Sequence, residues 1–283
     1  MKQIANHWPF LLLVVFAIVP MTLGIGYALL YSFGATGVLS NGITMNYWKA
    51  AFSTNEVLIS FLYTIILSLV SLSLCVTMAI LISLSLSKKL KKGIGSYIIY
   101  LPMAFPSLVA AFVFFQLLSN AGIISRLFYS LGLIHSISAF PNLVNDRFSI
   151  GIVTAQFFLT LPILVLLYVS IISNEQLDRM KMLASSLGAS NRQIFWRISM
   201  PTLLKKSLPS LILMFIFKLG SYEIPLLLGR SSPETISVLT VRKMQRFNLL
   251  DIPQGYVVAV IYATLILLLL TLMLKPSKLS LGV

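Results

Sequence analysis

The chain has 283 residues, of which 58% are hydrophobic and 10% charged, with a mean hydropathy of +0.96. A soluble domain has about 25% charged residues, so this is a membrane protein. The net charge of +14 has no soluble basic domain to sit on, which argues against nucleic-acid binding and leaves charge for the membrane surface and for topology.

Six apolar runs match the hydrocarbon core at about 1.5 Å per residue. The first, over 10–33, exceeds a signal-peptide core and lacks a small-x-small cleavage site, so it reads as a retained span. The second, over 57–87, is long enough to tilt or project. It holds the single cysteine, Cys75, which has no intramolecular partner and reads as packing. The third, over 94–119, contains Pro102 and Pro106, and the fourth, over 149–173, contains Pro162; all three read as kinks. The fifth and sixth cover 207–228 and 255–274. No ten-residue stretch alternates with period two, so a transmembrane barrel is not expected. With no repeat and no soluble appendage, the expected fold is an all-α membrane protein of six transmembrane helices, one domain over 1–283.

Lysine and arginine set the orientation. With the N-terminus inside, the inner segments hold thirteen of the 21 Lys and Arg, including Lys2, Lys88, Lys89, Lys91, Lys92, Lys275 and Lys278. The outer segments hold seven: Lys49, Arg126, Arg147, Arg230, Arg242, Lys243 and Arg246. Both termini are therefore expected in the cytoplasm.

Catalytic machinery is not visible. His7 and His135 fall on opposite sides, and there is no H-E-x-x-H, paired-cysteine or G-x-S-x-G pattern. The run at 91–96 lacks phosphate-loop spacing, so neither ATP nor Mg is expected to bind this chain. Transport is the expected function, driven by a gradient or by another subunit.

The longest inner loop, 174–206, contains MLASSLGASNRQIFWRISMP. Leu183 and Leu187 share a face of one short helix, and Gly188 is placed to end it. Ser190 and Gln193 have capping-box spacing for a second helix. That helix places Ile194 and Ile198 together, with Phe195 and Trp196 beside them. Pro201 biases Met200 away from helix and is expected to close the unit. Such a helix–turn–helix suits either lipid headgroups or a groove on a partner protein, and Arg192 and Arg197 suit both.

This stretch resembles the cytoplasmic signature of the permease subunits of type I ABC importers, E-A-A, three residues, G, nine residues, I-x-L-P. Ala184, Gly188, Ile198 and Pro201 stand in register, while Met182 replaces the glutamate, Leu183 the first alanine and Met200 the leucine. The resemblance implies a type I importer permease fold in a bacterial inner membrane. It also implies a coupling helix, formed here by Ala184, Gly188, Ala189, Ser190, Arg192, Phe195, Trp196, Ile198 and Pro201. The implied partners are two ABC ATP-binding subunits that bind ATP and Mg, a second permease or a second copy of this chain, and an extracytoplasmic substrate-binding protein. An aspartate at Gly188 is expected to crowd the turn and uncouple transport.

The second informative stretch is FKLGSYEIPLLLG. Lys218 lies roughly 17 Å into the fifth span if helical. A charge at the bilayer centre costs roughly 2.5–3.5 kcal/mol, so Lys218 is expected to face a water-filled path or a partner. Glu223 follows at a spacing poorly suited to an i,i+4 pair. Gly220 and Pro225 favour unwinding around it, which is tolerated at depth only where backbone lines a cavity or is buried in protein. The stretch resembles the matching segment of permeases in the polyamine, iron(III) and thiamine importer branch, through Glu223, Pro225, Leu227, Leu228 and Gly229. Lys218, Tyr222, Glu223 and Pro225 are the expected solute path. Glu223 suits a cation such as a polyamine, whereas Lys218 and the basic outer loop suit an anion. The loop over 230–254, with Arg242, Lys243 and Arg246, reads either as a solvated face or as a docking surface. The rival reading, a gradient-driven secondary transporter or channel, gives no reason for the Gly188–Ile198–Pro201 register.

Overall fold

The computed structural model describes residues 8–37, 40, 42–90 and 99–274. Lys2, His7, Lys91, Lys92, Lys275, Lys278, and 94–98 of the expected third span, lie outside them.

Every regular element among the described residues is helical. Helix α1 runs as one rod through Trp8–Leu13, a π-type turn at Val14–Ile18, and Val19–Ser32. There follow α2 (Asn46–Ser53), α3 (Glu56–Leu90), α4 (Ser107–Leu118), α5 (Ile123–Ser130), α6 (Ile150–Asn174) and α7 (Leu177–Ser186). Helix α8 is a second composite rod, made of Asn191–Ile194, a π-type turn at Phe195–Ser199, and Met200–Leu219. The chain continues with α9 (Glu223–Leu228), α10 (Ile236–Met244) and α11 (Asp251–Leu274).

Among the described residues, six stretches are long and apolar enough to cross a membrane: Leu11–Ser32, Glu56–Leu86, Ser107–Ser130, Ile150–Asn174, Asn191–Leu219 and Asp251–Thr271. Two differ from the sequence expectation, and prolines explain why. The third span does not run continuously through Pro102 and Pro106. Leu101–Ala104 is a single 3₁₀ turn, Phe105 is extended, and Pro106 stands at the N-cap of α4. Proline has no N–H to donate and is at ease where a helix's first donors are free. The helix therefore begins after these prolines rather than kinking at them. Pro162, by contrast, lies inside α6 and is buried.

The fifth span ends at Leu219 instead of reaching Leu228, and it begins far earlier, at Asn191. Pro201 does not terminate the preceding helix. The Met200 N–H bonds to the Phe195 carbonyl, five residues back, and Met200 itself is helical at φ −60° and ψ −51°. In an α-helix the proline ring would strike the carbonyl four residues earlier; a π-type turn just before it relieves that clash and leaves the rod continuous. The same device recurs in α1, where the Val19 N–H bonds to Val14 O immediately before Pro20.

The chain divides into two compact units, Met1–Leu62 with Thr235–Val283, and Tyr63–Glu234. In the first, α1 and α11 pack through tyrosines, with Tyr31 stacked on Tyr256 at 4.2 Å and Tyr27 edge-on to it. Val57, Ile236, Leu239 and Val258 form a buried cluster in it, flanked by Phe61 and Tyr262. The loop cations here are paired internally. Glu56 accepts from Arg242 at 2.6 Å and from Lys243 at 3.1 Å, and Asp251 accepts from Arg246 at 3.2 Å.

Among its described residues the second unit has two apolar clusters. One joins Leu72, Cys75, Ala79 and Ile80 of α3 to Leu164, Val165, Tyr168 and Ile172 of α6 and Leu203 of α8. The other joins Leu67, Ala111, Ile152, Ala155, Ile224 and Leu228, so that α4, α6 and α9 meet. Helix α6 starts against the Asp146 carboxylate, which accepts the N–H groups of Phe148 and Ile150 at 2.9 and 3.0 Å. A carboxylate there satisfies orphan donors and complements the helix dipole.

Candidate functional site

The α7–α8 hairpin is built from two local signals that meet at its tip. Helix α7 ends in a Schellman motif: Gly188 N–H bonds to Ser185 O and Ala189 N–H to Ala184 O, each at 3.0 Å. This geometry places the residue after the cap in the left-handed region, and Gly188 has φ +84°. A Cβ on Gly188 would meet nothing within 4 Å. The glycine is therefore needed for its backbone angle. The expected crowding by an aspartate does not arise.

Helix α8 then opens on a capping box. Ser190 N–H donates to Gln193 Oε1 at 2.9 Å, and Gln193 N–H to Ser190 Oγ at 3.4 Å. With both ends capped within three residues, the turn is held by backbone chemistry. The surface it presents is apolar. Met182 is 66% exposed, Leu183 68%, Leu187 89% and Trp196 58%. Leu183 and Leu187 share a face as the spacing predicts, but that face is open. Phe195 is half-buried and meets Trp196 edge to face at 5.2 Å. Ile194 is buried, Ala184, Ala189 and Ile198 are half-buried, and Ser190, Arg192 and Pro201 are exposed. An open concavity of about 340 Å³ lies against Leu187, Gly188, Ala189, Gln193, Ile194, Arg197 and Ile198. At the hairpin's base, Lys206 Nζ reaches Glu175 at 2.9 Å, a pair the sequence reading did not anticipate.

The second candidate region is the break after α8. Gly220 N–H bonds back to Ile216 O, Ser221 N–H bonds to Lys218 O, and a new helix starts at Glu223. Pro225 falls in the first turn of α9, where its missing N–H costs nothing. A Cβ on Gly229 would strike the Pro225 carbonyl and approach Ile152 Cδ1 at 3.2 Å, so the close packing of α9 on α6 requires glycine there.

A cavity of about 290 Å³ opens at this break, walled by Ser107, Gln156, Thr160, Phe217, Lys218, Ser221 and Glu223 among others. Of the four expected path residues, Lys218 and Glu223 line it. Tyr222 and Pro225 do not; Pro225 is buried in packing and Tyr222 is half-buried. The Lys218 ammonium donates to Ser71 Oγ on α3 at 2.8 Å, and the residue is only 6% exposed. Glu223 is half-buried. Ser107, Gln156 and Thr160 were not anticipated. Gln156 had a signal, since it is the sole side-chain amide in the apolar run IGIVTAQFFLTLP. Ser107 and Thr160 had none, because hydroxyls are common in spans.

The model of a family described as "Binding-protein-dependent transport system inner membrane component" matches residues 75–275. The chain belongs to this family. The matched range contains the hairpin, the break after α8 and the cavity. The sulfate transport system permease protein CysT of Synechocystis is 27% identical over 180 residues, covering 63% of this chain and 59% of that relative. The match therefore spans less than two thirds of its length. A chain from the crystal structure of a bacterial ABC transporter involved in import of the acidic polysaccharide alginate superposes with a TM-score of 0.67, covering 98% of this chain and 99% of that one. At 18% identity this likeness concerns the fold, which is that of an ABC importer permease. This family member thus combines a permease fold, six apolar helices and a doubly capped hairpin.

Proposed function

We propose that the two units act together as one permease domain, the membrane-spanning subunit of an ATP-driven ABC importer in a bacterial inner membrane. In this reading both termini are cytoplasmic, and the α7–α8 hairpin is the coupling element. The observation that carries it is the doubly capped hairpin tip with Met182, Leu183, Leu187 and Trp196 exposed. An apolar knob held by a Schellman motif and a capping box is preorganised for a groove on a soluble partner. The partner's ATP-binding subunits, two per importer, would hold ATP and Mg and hydrolyse the nucleotide. Their closure would move two such hairpins, one from this chain and one from a second permease or a second copy. Because α8 is continuous from Asn191 to Leu219, displacement at the hairpin is delivered directly to the break at Gly220. A substrate-binding protein would deliver solute from outside.

Met182, where related permeases have glutamate, removes one charged contact with the ATPase and substitutes an apolar one. The solute is small and polar or charged: polyamine-like, another small organic ion, or a metal complex. The sulfate and alginate named for the relatives belong to those proteins.

The test is purification from the native membrane in mild detergent, followed by mass spectrometry and uptake in vesicles. A stoichiometric ATP-binding subunit, lost when Leu187 and Trp196 are replaced by serine, supports the reading. A chain that purifies alone and drives uptake without ATP is a secondary transporter or channel, and the reading fails.

A further inference from the structure

The apolar stretch Ser107–Ser130 is not one rod. Helix α4 stops at Leu118, Ser119 is extended at ψ 157°, and α5 begins only at Ile123. Between them the chain folds against the end of α4. A Cβ on Gly122 would lie 2.6 Å from the Gln116 carbonyl oxygen and 2.8 Å from that of Leu117, so α5 starts beside the last turn of α4 and not beyond it. The crossing is complete without α5. The twelve residues of α4 rise roughly 18 Å and the helical turns over 99–104 roughly another 11 Å, enough for a hydrocarbon core of about 30 Å. Gln116, Ser119 and Asn120 are the first polar side chains after Ser107, and they mark where the span reaches the headgroups. One face of α5 is covered from within its own loop: Ser125 Oγ donates to Ile137 O at 3.2 Å, and Phe128 meets Phe140 edge to face at 5.8 Å. Another face carries Ile123, Leu127 and Leu131, spaced i, i+4 and i+8 and 59%, 52% and 64% exposed. Arg126 and Ser130, each three residues after a member of this stripe, are exposed along its edge.

We infer that α5 is an interfacial anchor: it lies in the headgroup layer of the bilayer, with Ile123, Leu127 and Leu131 among the acyl chains and Arg126 at the level of the lipid phosphates. An apolar stripe edged by a cation is the pattern of a helix lying in a membrane interface. The bilayer is also the surface within reach. Only residues 119–122 separate α5 from the end of the span, a tether of at most about 14 Å, and the turn at Gly122 holds α5 closer still. Helix α4 itself leaves Leu108 and Phe112 exposed, so the stripe continues an apolar surface that already meets the membrane. A soluble delivery protein fits less well, because a transient interface is about as polar as ordinary protein surface and the stripe itself has no polar member. A single crossing, α6, separates this loop from the α7–α8 hairpin, which puts the anchor on the opposite face of the membrane from the hairpin. Helix α4 carries Ser107 of the cavity wall, so the anchor holds the far end of a helix that lines the cavity. The inference goes beyond the importer reading and does not depend on it.

The test uses the full chain with the subunits that copurify with it, in nanodiscs of phosphatidylcholine and phosphatidylglycerol. In a Cys75→Ala background, Ile123→Cys, Leu127→Cys and Leu131→Cys are each labelled with bimane. The expected result is that 5-doxyl phosphatidylcholine, a quencher placed just below the headgroups, lowers emission at all three positions, while aqueous iodide quenches them far less than it quenches free bimane. If a cysteine variant does not assemble, the unsubstituted chain is photolabelled from the lipid phase with a hydrophobic diazirine and mapped by mass spectrometry, and label is expected within residues 123–131. Free quenching by iodide without quenching by the doxyl lipid would show a solvated face or one open to a soluble partner. Quenching by neither would show that protein, such as a second copy of this chain, covers the stripe. Either result, or the absence of photolabel from 123–131, overturns the inference. All three leave the importer reading untouched, since that reading is decided by copurification of an ATP-binding subunit.

Discussion

Lys218 and Ser71 stand 147 residues apart in the chain and 2.8 Å apart in space, the lysine ammonium donating to the serine hydroxyl between α8 and α3. The lysine is anchored inside protein, with its charge met by a neutral hydroxyl and no carboxylate in an ion pair with it among the described residues. A hydrogen bond to a charged group contributes about 1.5–3 kcal/mol, and an unpaired buried charge costs several. Ser71→Ala is therefore expected to lower the melting temperature in detergent more than Lys218→Met, which removes the charge along with its partner's task. A larger loss in Lys218→Met would show that the lysine has a further stabilising partner.

Gly188 offers a graded test of the hairpin. Its φ of +84° with open space around the Cβ makes the penalty one of backbone angle, about 1–2 kcal/mol for an ordinary residue. Asn tolerates this region better than most, and a β-branched residue tolerates it worst. Gly188→Asn is expected to keep most ATP-dependent uptake, Gly188→Ala to lose part of it, and Gly188→Val to lose nearly all. Asp resembles Asn in shape, so any further loss in Gly188→Asp would report its charge. Equal activity across the series would remove the turn from coupling.

Glu56 accepts from both Arg242 and Lys243, and the Lys243 side chain is only 4% exposed, with Gln254 3.4 Å from its ammonium. Glu56→Gln should destabilise by about 2 kcal/mol, because it leaves a buried ammonium with weaker partners. Arg246→Ala, which removes an exposed cation from Asp251 and leaves no buried ammonium behind, should cost under about 1 kcal/mol. Paired thermal melts decide the order. If Arg246→Ala is the more damaging, the Glu56 cluster is not the anchor of this loop. These pairings also bear on the sequence-level choice between a solvated face and a docking surface: the cations are engaged in holding their own unit together.

Lys206 and Glu175 form a partly exposed pair at 2.9 Å, of a kind that contributes about 0.2–1 kcal/mol and is screened by salt. A double-mutant cycle with Glu175→Gln and Lys206→Met should give a coupling energy inside that range at low ionic strength, falling towards zero at about 1 M salt. A coupling well above it would mean the pair is buried in the assembled complex.

Local chemistry in the sequence was enough to determine the number of apolar spans, the capping box at Ser190, the glycine stop at Gly188 and the helix break near Gly220. Each depends on residues within a few positions of one another, where backbone angles and first-turn hydrogen bonds decide the outcome. Prolines were legible as interruptions but not in kind. Whether Pro106 starts a helix, or Pro201 rides through one on a π-type turn, depends on whether the surrounding backbone can relieve the clash. Partner choice was not legible either. Ser71 for Lys218, and Glu56 for Arg242 and Lys243, join residues far apart in sequence. A charged or amide side chain within a membrane must find a partner, which one residue type suffices to announce; which partner it finds is settled only when the helices pack.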